Sequence, residues 1–163
     1  MVVVSNTSPL SNLAIIGRLG LLRTRFEKIW IPTRVEAELC RLPNPAGLAA
    51  IEEAFGSGWI VARPIRDNAT IRLLTASLDP GEAEAIALAV EMKADWILLD
   101  ETEGRRAASR AGLQVTGILG ILLRAKQRGE IPLLKPELEA LRTRARFFIG
   151  TRFERELLGR AGE

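Results

Sequence analysis

Apolar positions along the chain fall into two patterns: short continuous runs, which suit buried strands, and positions three or four apart, which suit one face of a helix. The three valines at residues 2–4 read as a buried strand running into Ser5, Asn6, Thr7 and Ser8. Ser8 suits a helix N-cap and Pro9 the first helical position. A helix is therefore expected there, with Leu10, Leu13 and Ala14 on one face and an end near Gly17 or Gly20. Lys28 to Ile31 predicts a second strand, closed by Pro32. A helix with the stripe Val35, Leu39 and Leu42 follows. Asn44 and Pro45 open another helix, with Leu48, Ile51 and Phe55 together. Gly56, Ser57 and Gly58 end it before a short strand from Trp59 to Val61.

Residues 67–78 are expected to be helical. Asp79, Pro80, Gly81 and Glu82 have the spacing of a capping box and open a nearly all-apolar helix to about Met92. Trp96 to Leu99 reads as a buried strand ending in Asp100 and Glu101, and a basic helix over residues 103–111 follows. Leu113 to Val115 predicts a fifth strand, and residues 118–128 a helix ended by Gly129. Two last helices are expected over Lys135 to Arg146 and Thr151 to Leu158, with Thr151 and Glu154 repeating the capping-box spacing. Strands alternating with helices predict an α/β fold: a three-layer α/β/α sandwich around a mainly parallel central sheet, plus C-terminal helices. Residues 1–163 are expected to form one domain, of which about 133–163 is a helical extension.

Composition narrows the chemistry. The chain has no histidine, which excludes His-dependent triads, His general bases and zinc sites built on His. Cys40 is the only cysteine, so neither an internal disulfide nor a cysteine cluster can form, and a reducing cytoplasm is the expected setting. No basic segment precedes an apolar run at the start, and no apolar stretch is long enough to span a membrane. Net charge is +3, which tolerates polyanions without establishing that they bind. Aromatics are 5% of residues with no tyrosine, so base stacking should not dominate recognition. Carboxylate, hydroxyl and Lys/Arg chemistry remain.

In open α/β sheets ligands gather at the carboxyl ends of strands. Asn6 follows the first strand and Asp100 the fourth, each readable as a turn former or as a ligand. Glu38 lies on the shoulder of the Val35, Leu39 stripe, where a surface carboxylate is the plainer reading. Glu82 has a capping role that explains it without any ligand. Glu84 lies about 200° further round the helix, so only one of the two can face a given cleft. Acids converging without histidine suit a hard divalent cation such as Mg2+ or Mn2+, which can activate water and neutralise a phosphodiester. A solvated face is the plain reading for most basic residues. Arg105 and Arg106, near the Asp100 junction, are the best placed to hold phosphate.

The stretches VVVSNTSPLSNLAIIGRLGLL, IPTRVEAEL, GEAEAIALAVEMKADWILLDE and GLQVTGILGILLRAKQRGEIP, with the ending FFIGTRFERELLGRAGE, together resemble the PIN-domain superfamily. They are most similar to a PIN-like group described as predicted nucleic-acid-binding proteins. The resemblance spans nearly the whole chain and rests on the order and spacing of motifs that are weak singly. It implies a compact nuclease, related to VapC-type ribonucleases, with Mg2+ or Mn2+ held by acids. By motif, the site residues would be Asn6, Glu38, Glu82 and Asp100, with Asn6 the weak ligand because the family's first acid is Asp. Thr7 and Ser8 stand where the family has a hydroxyl near the metal, and Glu101 and Glu84 are accessory candidates. Glu101 and Glu103 lie close enough to compensate for the charge missing at Asn6, unless they are solvated helix-start residues.

The first functional reading is a metal-dependent ribonuclease acting on RNA or another single-stranded nucleic acid. Asn6 motivates an alternative, a catalytically weak module that binds nucleic acid or a partner protein. A toxin paired with an antitoxin protein is a third reading, and a homodimer through the C-terminal helices is allowed. A flavodoxin-like binder is disfavoured because no Gly-rich phosphate loop follows the first strand.

Overall fold

The computed structural model describes residues 1–163. Its elements, in chain order, are β1 (Val3–Ser5), α1 (Thr7–Ile15), α2 (Gly20–Phe26), β2 (Ile29–Pro32), α3 (Thr33–Leu39), α4 (Pro45–Gly56), β3 (Ile60–Arg63), α5 (Ala69–Leu74), α6 (Pro80–Glu91), β4 (Trp96–Leu98), α7 (Thr102–Arg110), β5 (Gln114–Thr116), α8 (Ile118–Gln127), α9 (Lys135–Arg144) and α10 (Thr151–Arg160). All strands are parallel, in the order β3-β2-β1-β4-β5. The three-layer sandwich expected from the alternation of elements is present.

The register explains why the strands read as unbroken apolar runs. Val3, Ile29 and Leu98 enter a core of 28 buried residues on one face, while Val4, Ile97 and Leu99 enter a core of nine on the other. Successive side chains point to opposite faces, so a strand covered by helices on both sides needs apolar residues throughout. The larger core draws on α1 to α4 and α8 to α10, and the smaller mainly on α6 with Leu78 and Ala108. Leu138, Leu141, Ile149 and Leu157 belong to the larger core, so the C-terminal helices share it with β1. Of the apolar residues near that end, Phe148 stays 88% exposed.

Several local expectations needed correction. The N-cap of α1 is Asn6 rather than Ser8, and Pro9 falls inside the first turn, where its missing N–H costs no bond. Gly17 ends α1 with φ +75°, but Gly20 starts α2, a helix the spacing did not suggest. Leu19, Leu22 and Phe26, all buried, form its short stripe. The helix expected over residues 67–78 shrinks to α5, six residues: Asn68 sets its start by accepting from the Ile71 N–H at 2.9 Å, and it ends at Leu74 with Thr75 as the cap residue. Thr151 does not cap α10. Gly150 is the cap residue, and Glu154 instead meets Arg142 at 2.5 Å. The box at Asp79 is real: Asp79 Oδ1 accepts from the Glu82 N–H (2.9 Å) and Glu82 Oε2 from the Asp79 N–H (3.3 Å).

Leu98 is fully buried in β4, an interior strand of the sheet. Leu98→Ala is expected to lower unfolding free energy by about 2–5 kcal/mol. The exposed Glu52→Ala should stay within about 0.5 kcal/mol. Urea denaturation followed by circular dichroism measures both; similar values for the two would contradict this account of the core.

Candidate functional site

Strand order reverses between β1 and β4: the chain steps outward from β1 to β2 and β3, then returns to lay β4 on the other side of β1. A crevice opens at the carboxyl ends of the two strands at such a point. The Asn6 N–H donates to Leu98 O at 3.2 Å, which fixes the two strand ends side by side. A cavity of about 680 Å3 lies there, and Leu78 is its one hydrophobic lining residue.

Four helices supply its walls. Asn6, Thr7 and Ser8 come from the β1–α1 junction, Arg34 and Glu38 from α3, Asp79 and Glu82 from the start of α6, and Glu101, Thr102 and Glu103 from the start of α7. Thr7 hydrogen-bonds through its hydroxyl to Glu38 Oε2, tying α1 to α3. Arg34 lies one helical turn before Glu38, and its Nε is 3.1 Å from Glu84 Oε1. That pairing takes Glu84 away from the cleft, and Glu82 is the one of the two that lines it. Five carboxylates and one arginine thus share one small space.

Two buried oxygens in this cleft have no donor: Asn6 Oδ1 and Glu82 Oε1. Asn6 is informative because asparagine at an N-cap ordinarily accepts from the first turn of its own helix, and here it makes no such bond. Its amide oxygen points instead toward α6. A Cβ placed on Gly81 would lie 3.1 Å from Glu38 Oε1 and 3.4 Å from both Asn6 Oδ1 and Asp79 Oδ1. Three oxygens from three elements therefore converge beside Gly81, where an added Cβ would press most closely on Glu38 Oε1.

Glu82 carries a carboxyl pushed up to about 7. The causes are burial first, then the neighbouring Asp79 charge and its hydrogen bond, with Glu101 adding repulsion. Asp100 is also raised, by burial above all, against the Ile118 N–H, the Ser8 hydroxyl and the Arg105 charge, which pull it down. Its oxygens are committed. Oδ1 accepts from the Ile118 N–H at the start of α8 (2.8 Å), and Oδ2 from the Ser8 hydroxyl (3.2 Å). Asp100 stands behind Ser8 and lines a neighbouring groove rather than the cleft. Gly117 makes room for it, since a Cβ there would come within 2.6 Å of Asp100 Oδ1.

Of the residues singled out in the sequence, Asn6, Thr7, Ser8, Glu38, Glu82 and Glu101 meet in this cleft, with Asp100 one bond behind. Arg105 and Arg106 do not line it: Arg105 donates to Leu99 O at 2.9 Å, and Arg106 pairs with Glu103 at 3.1 Å. Arg34, Asp79 and Gly81 were not foreseen there, whereas Glu103, expected close by, does line it. The spacing of Arg34 from Glu38 and the capping role of Asp79 were the signals available. No three acid side chains are placed to chelate an ion by themselves. The donor set is nonetheless entirely oxygen and includes two buried acceptors without partners. That fits a hard cation such as Mg2+, which keeps several waters and needs only one or two carboxylates.

The family model DUF3368, described as a PIN domain, matches residues 2–163. No curated protein and no solved structure matches the chain.

The raised Glu82 carboxyl sets a pH dependence. The folded chain binds this proton more tightly than the unfolded chain does. The associated stability is therefore complete below the ordinary glutamate value of 4.5 and is lost as pH rises through about 7. In buffer containing EDTA, the urea midpoint of the wild type should fall across that window relative to Glu82→Gln. Parallel pH profiles for the two proteins would show that burial does not hold this proton.

Proposed function

The chain belongs to the PIN-domain family, and from that premise we propose that it hydrolyses phosphodiester bonds in RNA with the aid of Mg2+ or Mn2+. PIN domains are generally nucleases and typically use divalent ions. The observation that carries the reading to this chain is the unpartnered pair of buried oxygens, Asn6 Oδ1 and Glu82 Oε1, in a cleft lined by five carboxylates. A phosphodiester entering such a cleft meets net negative charge, and only a cation makes the approach favourable.

Asn6, Glu38 and Glu82 are the residues that would hold the ion. When bound, it would neutralise the phosphate and lower the pKa of a water. The protein's own contribution is positional. The Asn6 N–H to Leu98 O bond fixes the amide at the strand end, and the Thr7 hydroxyl holds Glu38 against α1. Glu82 is oriented by the Asp79 backbone, and Asp100 sets the Ser8 hydroxyl. Above about pH 7 the Glu82 carboxyl is ionised, which leaves its charge for a cation.

A second reading keeps the fold and the ligand but loses the reaction: a module that binds nucleic acid and cuts weakly or not at all. The neutral amide of Asn6, together with the lack of three chelating acids, favours it. Single-turnover cleavage of a labelled RNA with Mn2+ separates the two. The wild type should cut, Glu82→Gln should be slower by about 100-fold, and Asn6→Asp should bind Mn2+ at least about 10-fold more tightly by calorimetry. Absence of cleavage by both wild type and Asn6→Asp would overturn the hydrolytic reading and leave the second.

A further inference from the structure

Beside the acidic cleft lies a second groove, of about 460 Å3, on the far side of Asp100; Thr102 lines both. Its charge is opposite. Arg25 of α2, Arg105 of α7, Arg124 of α8 and Arg160 of α10 come to it from four different helices. Asp100 is the one carboxylate on its wall, and both oxygens of that group are already bonded. Nine other arginines of this chain have an acidic partner within 4.0 Å, but these four have none.

Cations gathered this way repel one another. Arg25 is held below the ordinary guanidinium range, by burial first and then by the charges of Arg124 and Arg128, with Glu130 pulling the other way. An anion in the groove would relieve that repulsion. Between the arginines the lining mixes polar groups such as Thr116 and Gln127 with five apolar side chains, among them Phe153, which is 49% exposed. Guanidinium groups beside an accessible aromatic face are the features that hold a single strand, phosphates on the cations and a base on the ring. An acidic peptide would use the arginines but has no base to stack on the ring.

We propose that this groove binds the backbone of a single-stranded polynucleotide as it leaves the acidic cleft, with Arg124 and Arg160 on phosphates and Phe153 under a base. The proposal rests on the phosphodiester reading of the cleft for the path of the strand, and on the groove itself for the contacts. It assigns α10, which lies outside the cleft, to substrate holding. The two concavities meet at Thr102, so a strand in the groove is continuous with the cleft there, where Glu101 and Glu103 flank the passage and the groove's arginines take over beyond it.

Fluorescence anisotropy with a labelled oligouridylate of about a dozen nucleotides, in EDTA and about 0.1 M salt, tests it without reading cleavage. Arg124→Glu combined with Arg160→Glu should raise Kd by about 10-fold or more and lower the salt slope by about 1.4, near 0.7 per lost phosphate contact. Both arginines are exposed, so folding should survive, and circular dichroism checks this. Phe153→Ala should raise Kd by about 5-fold or more. The charge-matched pair Arg152→Glu and Arg155→Glu, exposed on the same helix but outside the groove, should change Kd by less than about 3-fold. Equal losses for the two pairs, or no loss for either, would overturn the proposal. Groove-dependent binding of polyglutamate without binding of oligouridylate would overturn it in favour of an acidic protein partner. A chain that binds through the groove but cuts nothing with Mn2+ would leave the groove standing and remove the nuclease reading.

Discussion

Everything at the functional edge of this molecule depends on the parallel pairing of β1 with β4. The chain has already travelled outward through β2 and β3 before it returns to place β4 beside β1. That reversal keeps any crossover helix from lying over the junction, and the backbone bond from Asn6 to Leu98 holds it together. Val3 pairs with Trp96, Val4 with Ile97 and Ser5 with Leu98. The two polar segments that follow these strands therefore emerge at the same level. A slip of one residue would turn Asn6 away and exchange the faces of Val3 and Val4 between two cores.

The junction divides charge sharply. Five carboxylates lie on one side and four unpaired arginines on the other, with Asp100 between them. Asp100 belongs fully to neither. Its oxygens bond the Ser8 hydroxyl and the first N–H of α8, so it ties the helix of one region to the helix of the other. Gly117 is part of the same arrangement, because any side chain there would strike the carboxylate. The amide of Asn6 lowers the negative charge of the cleft by one relative to the aspartate expected by resemblance, while leaving an oxygen free to act as a ligand.

The strands and their order of occurrence were legible because a sheet buried on both faces leaves continuous apolar runs, and the PIN resemblance gave the same architecture. The box at Asp79 was legible because its chemistry is local. What escaped was whatever depends on distant partners. Ser8 has the right side chain for a cap, yet its hydroxyl goes to Asp100, 92 positions along the chain. Glu154 has capping-box spacing but pairs with Arg142. At the cleft, Asn6, Glu38 and Glu82 could be named from position after a strand or on a helix shoulder. Arg34 could not, because its place follows from how α3 leans toward α6. The arginine groove was hidden for the same reason: its four members are scattered from residue 25 to residue 160, and no window of sequence holds more than one of them beside another's helix.

Glu82 performs two tasks with one carboxyl group. Oε2 closes the first turn of α6, while Oε1 is left buried and unanswered. Whatever the cleft takes up at Oε1 therefore acts on the same group that anchors the helix. Occupancy and foldedness become linked variables, and a ligand bound there adds to the stability of the native state in proportion to the logarithm of its free concentration. With the proposed ion bound there, the resistance of this chain to unfolding would be partly a property of the solution it is in.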